Sequence, residues 1–340
     1  MIVKLKYLGA ILLVAGSLFG QNTAAAHLAS GNTYVKQHEW SQAIAEYRMA
    51  INLNPNLAQA HYNLANALAQ QGKLNAAIDE YRAELRLEPN DVRGLNNLGL
   101  ALGRAGQWQQ AVAELRKTVR LNPGDEGAHY NLANALAADG NPQAAIIEFF
   151  TALRLKPNDA WAHNNLGNAL AASGDLQRAE VEFRQAAALK PEFADAYFNL
   201  GNALLAQGHF NEAIWEYRIV LLLAPGDAAA QENLAYAYSR EGDLTRAAFE
   251  YRWAVGLHPA DATAHDNLGQ VLEKQGRLAA AFQQYETASK LAPENSKYRA
   301  DYTRLAGALK KAGTGQGHPV GKDSAGRRRQ DAVRKRQAAS

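Results

Sequence analysis

The sequence predicts an all-α protein built from tandem helical hairpins, and three observations carry that expectation. Eight prolines, Pro55, Pro89, Pro123, Pro157, Pro191, Pro225, Pro259 and Pro293, recur every 34 residues without a slip. Seven glycines keep the same interval: Gly72, Gly106, Gly140, Gly174, Gly208, Gly242 and Gly276. So do eight alanines: Ala43, Ala77, Ala111, Ala145, Ala179, Ala213, Ala247 and Ala281. A period this strict marks an internally repeated chain, in which each unit packs on its neighbours and stability needs at least about three units. The 340 residues are therefore expected to form one extended array, and function is to be sought on a surface that repeats.

Taken in order, residues 1–26 begin with Lys4 and Lys6, continue with an apolar run from Tyr7 to Phe19 and end on Ala24-Ala25-Ala26. That is the layout of a cleaved secretory signal, and the run is short against the roughly 20 residues of a membrane-spanning helix. Export to the periplasm or the outside is expected, with an N-terminal anchor through residues 7–19 as the alternative. The repeats then fill 27–295. With the proline of each unit numbered 32, the first complete unit is Ala24 to Leu57 and the last Ala262 to Asn295. Positions 4, 7, 8 and 11 form one apolar helical stripe, in which position 7 is Leu64, Leu98, Leu132, Leu166, Leu200, Leu234 and Leu268. A second stripe at positions 20, 24 and 27 pairs the recurring Ala with Tyr47, Tyr81, Leu115, Phe149, Phe183, Tyr217, Tyr251 or Tyr285. Small against large is how two helices interlock. Glycine at position 15 turns the chain between the helices, and proline at 32 ends the second one. Asn141-Pro142 reads as an N-cap followed by Pro in the first helical turn. Beyond Asn295, a capping helix over 296–311 places Tyr298, Tyr302, Leu305 and Leu309 on one stripe. Residues 312–340 carry too little apolar side chain to order themselves.

This unit resembles the tetratricopeptide repeat, a 34-residue helix–turn–helix with small and large residues at these positions and proline at 32. The resemblance covers residues 24–295. Ser30 and His38 in the first unit and Leu115 in the third depart from the pattern. It implies a right-handed superhelical solenoid of about eight such repeats, with the outward stripe of each first helix lining the inner wall.

Composition narrows the function classes. The chain has no Cys, which removes disulfides, thiol nucleophiles and Cys-ligated metals. Residues 310–340 hold nine basic and two acidic side chains, a balance of +7 that, taken from the overall +3, leaves the rest at −4. A basic pI thus belongs to the tail, and nucleic acid is not expected as a partner. The segment 322–336 is suited only to weak contact with an anionic surface. No Gly-rich phosphate loop, nucleophile triad or HExxH helix occurs, so no cofactor, catalytic residue or enzyme activity is expected.

The outward stripe is rich in amides. Position 6 is Asn63, Asn97, Asn131, Asn165, Asn199, Asn233 and Asn267 in seven consecutive units, and position 9 adds Asn32, Asn66, Asn134, Asn168 and Asn202. Asn is a poor mid-helix residue, while its amide both donates and accepts and suits an extended peptide backbone. Contacts between repeats are the alternative use. The row resembles the asparagine ladder of the O-linked N-acetylglucosamine transferases, which implies peptide binding; nothing after Lys311 resembles their catalytic domain. Position 5 contributes Tyr62, Tyr130 and Phe198 and turns acidic at Glu232 and Asp266, with Asp195 and Glu273 nearby. A ligand with apolar anchors at one end and a basic patch at the other is expected. No base stands at position 6, so a carboxylate clamp is not expected. His27, His61, His129, His163 and His265 all occupy position 4 of the packing stripe, with no repeating carboxylate expected beside them. They read as packing residues, not metal ligands.

The function expected is a non-catalytic scaffold that binds an extended segment of another protein in its groove, in envelope assembly, secretion or polysaccharide export. The alternatives are a substrate-presenting subunit of a separate modifying enzyme and a self-associating scaffold.

Overall fold

Residues 23–314 are described by a computed structural model; the expectations for residues 1–22 and 315–340 lie outside the described residues. Every regular element among them is an α-helix. The chain divides into two compact units at Pro225 and Gly226. The first unit holds α1 (residues 23–36), α2 (Trp40–Leu53), α3 (Ala58–Gln70), α4 (Leu74–Leu87), α5 (Val92–Arg104) and α6 (Trp108–Leu121). It continues with α7 (Glu126–Ala138), α8 (Pro142–Leu155), α9 (Ala160–Ala172), α10 (Leu176–Leu189), α11 (Ala194–Gln207) and α12 (Phe210–Leu223). The second unit holds α13 (Ala228–Glu241), α14 (Leu244–Leu257), α15 (Ala262–Lys274), α16 (Leu278–Leu291) and α17 (Ser296–Thr314).

Within each unit, odd-numbered helices pack on the even-numbered helix that follows, and that helix packs on the next odd one. The leucines of position 7 and the alanines of position 20 are buried throughout. The position-24 rings of Tyr47, Phe149, Phe183, Tyr217, Tyr251 and Tyr285 are among the largest fully buried side chains. Each such ring or leucine lies against the small residue at position 8 of its own hairpin: an added Cβ at Gly167 would stand 2.6 Å from the Phe183 ring, and one at Gly99 2.5 Å from Leu115. At roughly 1.5–3 kcal/mol for each large side chain removed from water, this repeated contact is the main source of stability.

The turns follow from local chemistry. Gly140, with φ of 81°, takes the left-handed conformation that ends α7, and His38 in the first unit adopts φ of 60° at the same register. Asp91, Asp125 and Asp159 cap α5, α7 and α9 by accepting from backbone N–H groups, and Asn141 caps α8 with Pro142 in its first turn. In the second unit α17 covers the end of the stack with Tyr298 and Leu305, both buried against the preceding hairpin. It continues three residues past Lys311, to Thr314. No helix of the described residues is long and apolar enough to cross a membrane.

Candidate peptide-binding surface

The amide row sits on the odd-numbered helices, where it is half-buried except for the exposed Asn32 and Asn168. Its Nδ2 groups are directed along the stack to the preceding repeat. Asn63 donates to Asn32 Oδ1 at 2.8 Å, and Asn97 donates to both Asn66 Oδ1 at 3.1 Å and the Tyr62 hydroxyl at 3.0 Å. Asn165 repeats the double bond to Asn134 Oδ1 at 2.9 Å and the Tyr130 hydroxyl at 3.0 Å. Where position 5 is Asn instead of Tyr, the pattern changes partner: Asn131 donates to Asn96 Oδ1 and Asn199 to Asn164 Oδ1, each at 3.0 Å. The position-9 carbonyls also accept from buried tyrosines, Asn66 from Tyr81 at 2.5 Å and Asn202 from Tyr217 at 2.7 Å. Asn233 and Asn267 lie half-buried at the same register in the second unit. The row is thus a hydrogen-bonded seam between repeats, in which the oxygens of Asn63, Asn97 and Asn165 each keep one acceptor bond within their own helix, from Gln59, Asn96 and Asn164.

Beside the seam, Tyr62, Tyr130 and Phe198 are half-buried, each edge-on to the ring below: Tyr62 to Tyr81 at 6.2 Å, Tyr130 to Phe149 at 5.9 Å, Phe198 to Tyr217 at 6.0 Å. A cavity of about 400 Å³ opens between α7 and α9, over Phe149 and between Ala137, Ala138, Ala169 and Ala172, with Asn134, Asn165 and Asn168 on its rim. Its counterpart between α1 and α3 measures about 350 Å³ and is narrowed by Lys36 and Gln70, which hold the positions of Ala138 and Ala172. These alanines were not among the site residues expected from sequence. The signal was there: positions 12 and 13 are all alanine in the fourth and fifth units, while position 13 is Lys36, Gln70, Arg104, Arg240 and Lys274 in others. Phe149 adds to the space, since it lacks the hydroxyl with which Tyr47, Tyr81 and Tyr217 reach the position-9 amide.

Two expectations need correction. The acidic end of the row does not present Asp266 to a ligand: that side chain is 1 % exposed and is ion-paired with Lys297 of α17. Glu273 is likewise held, accepting two bonds from Arg304 at 2.6 and 2.8 Å and one from Tyr285 at 2.8 Å. Glu232 remains half-exposed beside Asp261, where burial and that neighbouring carboxylate push its pKa up to about 7.

Four of the five histidines of position 4 do have a repeating carboxylate, at position 23 of the same hairpin, while His265 meets the Gln284 amide oxygen there at 2.7 Å. Nδ1 of His27, His61, His129 and His163 lies 2.6 Å from Glu46, Glu80, Glu148 and Glu182. The opposite nitrogen of His61, His129 and His163 donates to the carbonyl of the preceding repeat's proline, Pro55, Pro123 or Pro157, at 2.9–3.1 Å. An ionised glutamate and a carbonyl both only accept, so at His61 and His163 a ring with hydrogen on both nitrogens satisfies both bonds. The two ring nitrogens are then spent, which removes them as metal ligands. The bond to Glu80 raises the pKa of His61 above the usual imidazole range, against the opposing effect of burial. At His163 burial acts to lower it, and the bonds to Glu182 and Pro157 outweigh burial.

Comparisons with known proteins agree with this architecture. Profiles described as TPR repeat match residues 31–72, 65–106 and 167–208, and profiles described as tetratricopeptide repeat match 96–160, 200–251 and 233–296, as well as 149–181. No curated protein matches the sequence. Among solved structures, the C-terminal part of a TPR repeat-containing protein from Cytophaga hutchinsonii superposes with a TM-score of 0.60 at 19% identity, over 71% of this chain and 99% of that one. A tetratricopeptide repeat protein from Parabacteroides merdae gives 0.55 at 17% identity, over 73% and 98%. A chain of the Cut9–Hcn1 hetero-tetramer of the APC/C gives 0.53 at 17% identity over 82% of this chain, which spans 55% of that longer one.

Removing the amide of Asn165 strands the Tyr130 hydroxyl and the Asn134 carbonyl, so Asn165→Ala is expected to lower stability by about 1–2 kcal/mol in urea denaturation. An unchanged midpoint would show that the seam contributes nothing. The histidine bridges carry a sign in pH. A raised folded-state pKa gives stability that is complete below the unfolded value of about 6.5 and is lost as pH rises through the folded one. The melting temperature of the wild type is thus expected to fall as pH rises above about 6.5, and His61→Gln with His163→Gln to flatten that slope. An identical slope in the double variant would assign it to other groups.

Proposed function

The chain belongs to the tetratricopeptide repeat family, and on that premise we propose that its first unit is a non-catalytic binding module for an extended segment of another protein. Members of this family mediate protein–protein interaction. The observation that carries the finer reading is the cavity between α7 and α9. An alanine-walled recess of about 400 Å³ over an aromatic floor accepts one large apolar side chain, and the asparagine oxygens on its rim accept N–H groups of the backbone on either side. Tyr130, held by Asn165, forms the neighbouring aromatic contact. A peptide bound this way is read by the apolar residue it inserts, with its backbone held whatever the flanking side chains. The sequence of residues 1–26 supports exercise of this function in the cell envelope after export.

The test is a photo-crosslinking residue at Tyr130, introduced in living cells with captured proteins identified by mass spectrometry. A discrete partner is expected, and it is expected to be lost when Ala138→Arg and Ala172→Arg fill the cavity. Both positions hold long side chains in other units, so the array stays folded. Equal capture by the filled variant would overturn the reading.

A second reading, self-association, has its own observation. Position 22 of α8, α10 and α12 carries Ile147, Val181 and Trp215, 65%, 62% and 61% exposed, a row of apolar side chains on the outer face of the first unit. Sedimentation velocity is expected to show concentration-dependent assembly that Ile147→Lys with Trp215→Lys abolishes; a monomer at all concentrations would exclude it.

A further inference from the structure

The junction between the second and third repeats departs from the rest of the array in two coupled ways. Position 27 is a small residue in most units, Ala50, Ala152, Ala186, Ala254 and Ala288, but it is Glu84 on α4. Position 3 is Ala60, Ala128, Ala162, Ala196, Ala230 and Ala264 in others, but it is Gly94 on α5. The two substitutions answer one another, because a Cβ at Gly94 would overlap the Glu84 carboxylate. A glycine has made room, inside the packing between repeats, for a carboxylate that is 1 % exposed. Neither oxygen of that carboxylate has a hydrogen-bond partner. An isolated buried carboxylate of this kind costs several kcal/mol unless something neutralises it.

What faces it is more negative charge. Glu88 at the end of α4 and Asp91, the N-cap of α5, bring their carboxylate oxygens to within 4.8 Å of Glu84 and of each other. Asp91 is oriented by accepting from the Arg93 backbone N–H at 3.0 Å. The Arg93 guanidinium lies 3.4 Å from Asp91 and is largely exposed, so one cation faces three anions. Two oxygens on one Ca²⁺ ion stand no farther apart than twice the metal–oxygen distance, roughly 4.8 Å. All three carboxylates therefore lie within reach of a single ion, and an all-oxygen donor set selects a hard divalent cation.

We infer that Glu84, Glu88 and Asp91 form a binding site for a hard divalent cation of the Ca²⁺ or Mg²⁺ type, which ties α4 to the start of α5. The junction has a reason to need one. It is where Leu95 takes the place of the position-4 histidine which, as His61, His129 or His163, reaches the preceding repeat's proline carbonyl in other units. The ion supplies a link across the seam where the histidine bridge is missing.

The test uses the full chain, freed of metal, with Mn²⁺ as a paramagnetic probe and with Ca²⁺ and Mg²⁺ as stabilising ligands. One tightly bound Mn²⁺ per chain is expected by electron paramagnetic resonance, displaced by whichever of Ca²⁺ or Mg²⁺ the site prefers. That ion is expected to raise the melting temperature by about 3–5 °C at ~100-fold excess over its dissociation constant. Glu84→Ala restores the residue other units carry and keeps the fold, and Glu84→Gln keeps the volume; both are expected to lose the bound Mn²⁺ and the thermal shift. Absence of Mn²⁺ binding to the wild type, or an equal shift in Glu84→Ala, would overturn the assignment and leave Glu84 as a protonated core carboxyl.

Discussion

Everything in this molecule hangs on a small side chain at position 8 facing a large one at position 24 of the same hairpin. Gly167 under Phe183, Gly201 under Tyr217 and Gly269 under Tyr285 let helix backbones approach until ring and backbone touch. That approach fixes the spacing of successive odd helices, and the spacing in turn sets which polar groups can meet. The Asn97 amide can span from Asn66 to Tyr62, and His129 from Glu148 to Pro123, only because the hydrophobic contact has already determined the distance. The polar seams are consequences of apolar packing that then make it directional.

The fold was legible in the sequence because its determinants recur on the clock of the chain. Leu at 7, Gly at 15, Ala at 20 and Pro at 32 each have one structural meaning, and seven or eight copies of each leave little room for misreading. The site was legible only in part. The asparagine row was found by the same periodicity, but a helical-wheel argument assigns a direction to a side chain and not a partner. Asn165 points off the packing stripe and still spends both its N–H groups on its neighbour. The glutamates of position 23 recur as strictly as the histidines they meet, yet the two lie on different helices, 19 residues apart, and only the hairpin brings them together.

Departures from the period proved more informative about chemistry than the period itself. Asp266, read as the acidic end of a binding row, is instead the buried partner of Lys297, and Glu273 is claimed by Arg304. These acids fasten the terminal helix, a use that could not be seen without knowing where α17 returns. Phe149 in place of tyrosine, with alanines at positions 12 and 13, lines a recess with small side chains where its counterpart in the first two repeats is bordered by Lys36 and Gln70. Glu84 with Gly94 places a charge where other repeats have a methyl group. Each pair makes sense only together, since either change alone would leave a void or a clash.

The histidine bridges distribute mechanical load unevenly. Each one links the second helix of its own hairpin to the proline carbonyl of the hairpin before, so a pull along the first unit is resisted at His61, His129 and His163 by hydrogen bonds on both ring nitrogens. At Tyr197 that clamp is missing and the seam relies on apolar contact and amides, while at Leu95 the cluster of Glu84, Glu88 and Asp91 stands in its place. A stack built this way behaves less like a uniform spring than like a chain with a designated weak link, and under tension it parts at the Tyr197 junction while the segments on either side stay whole.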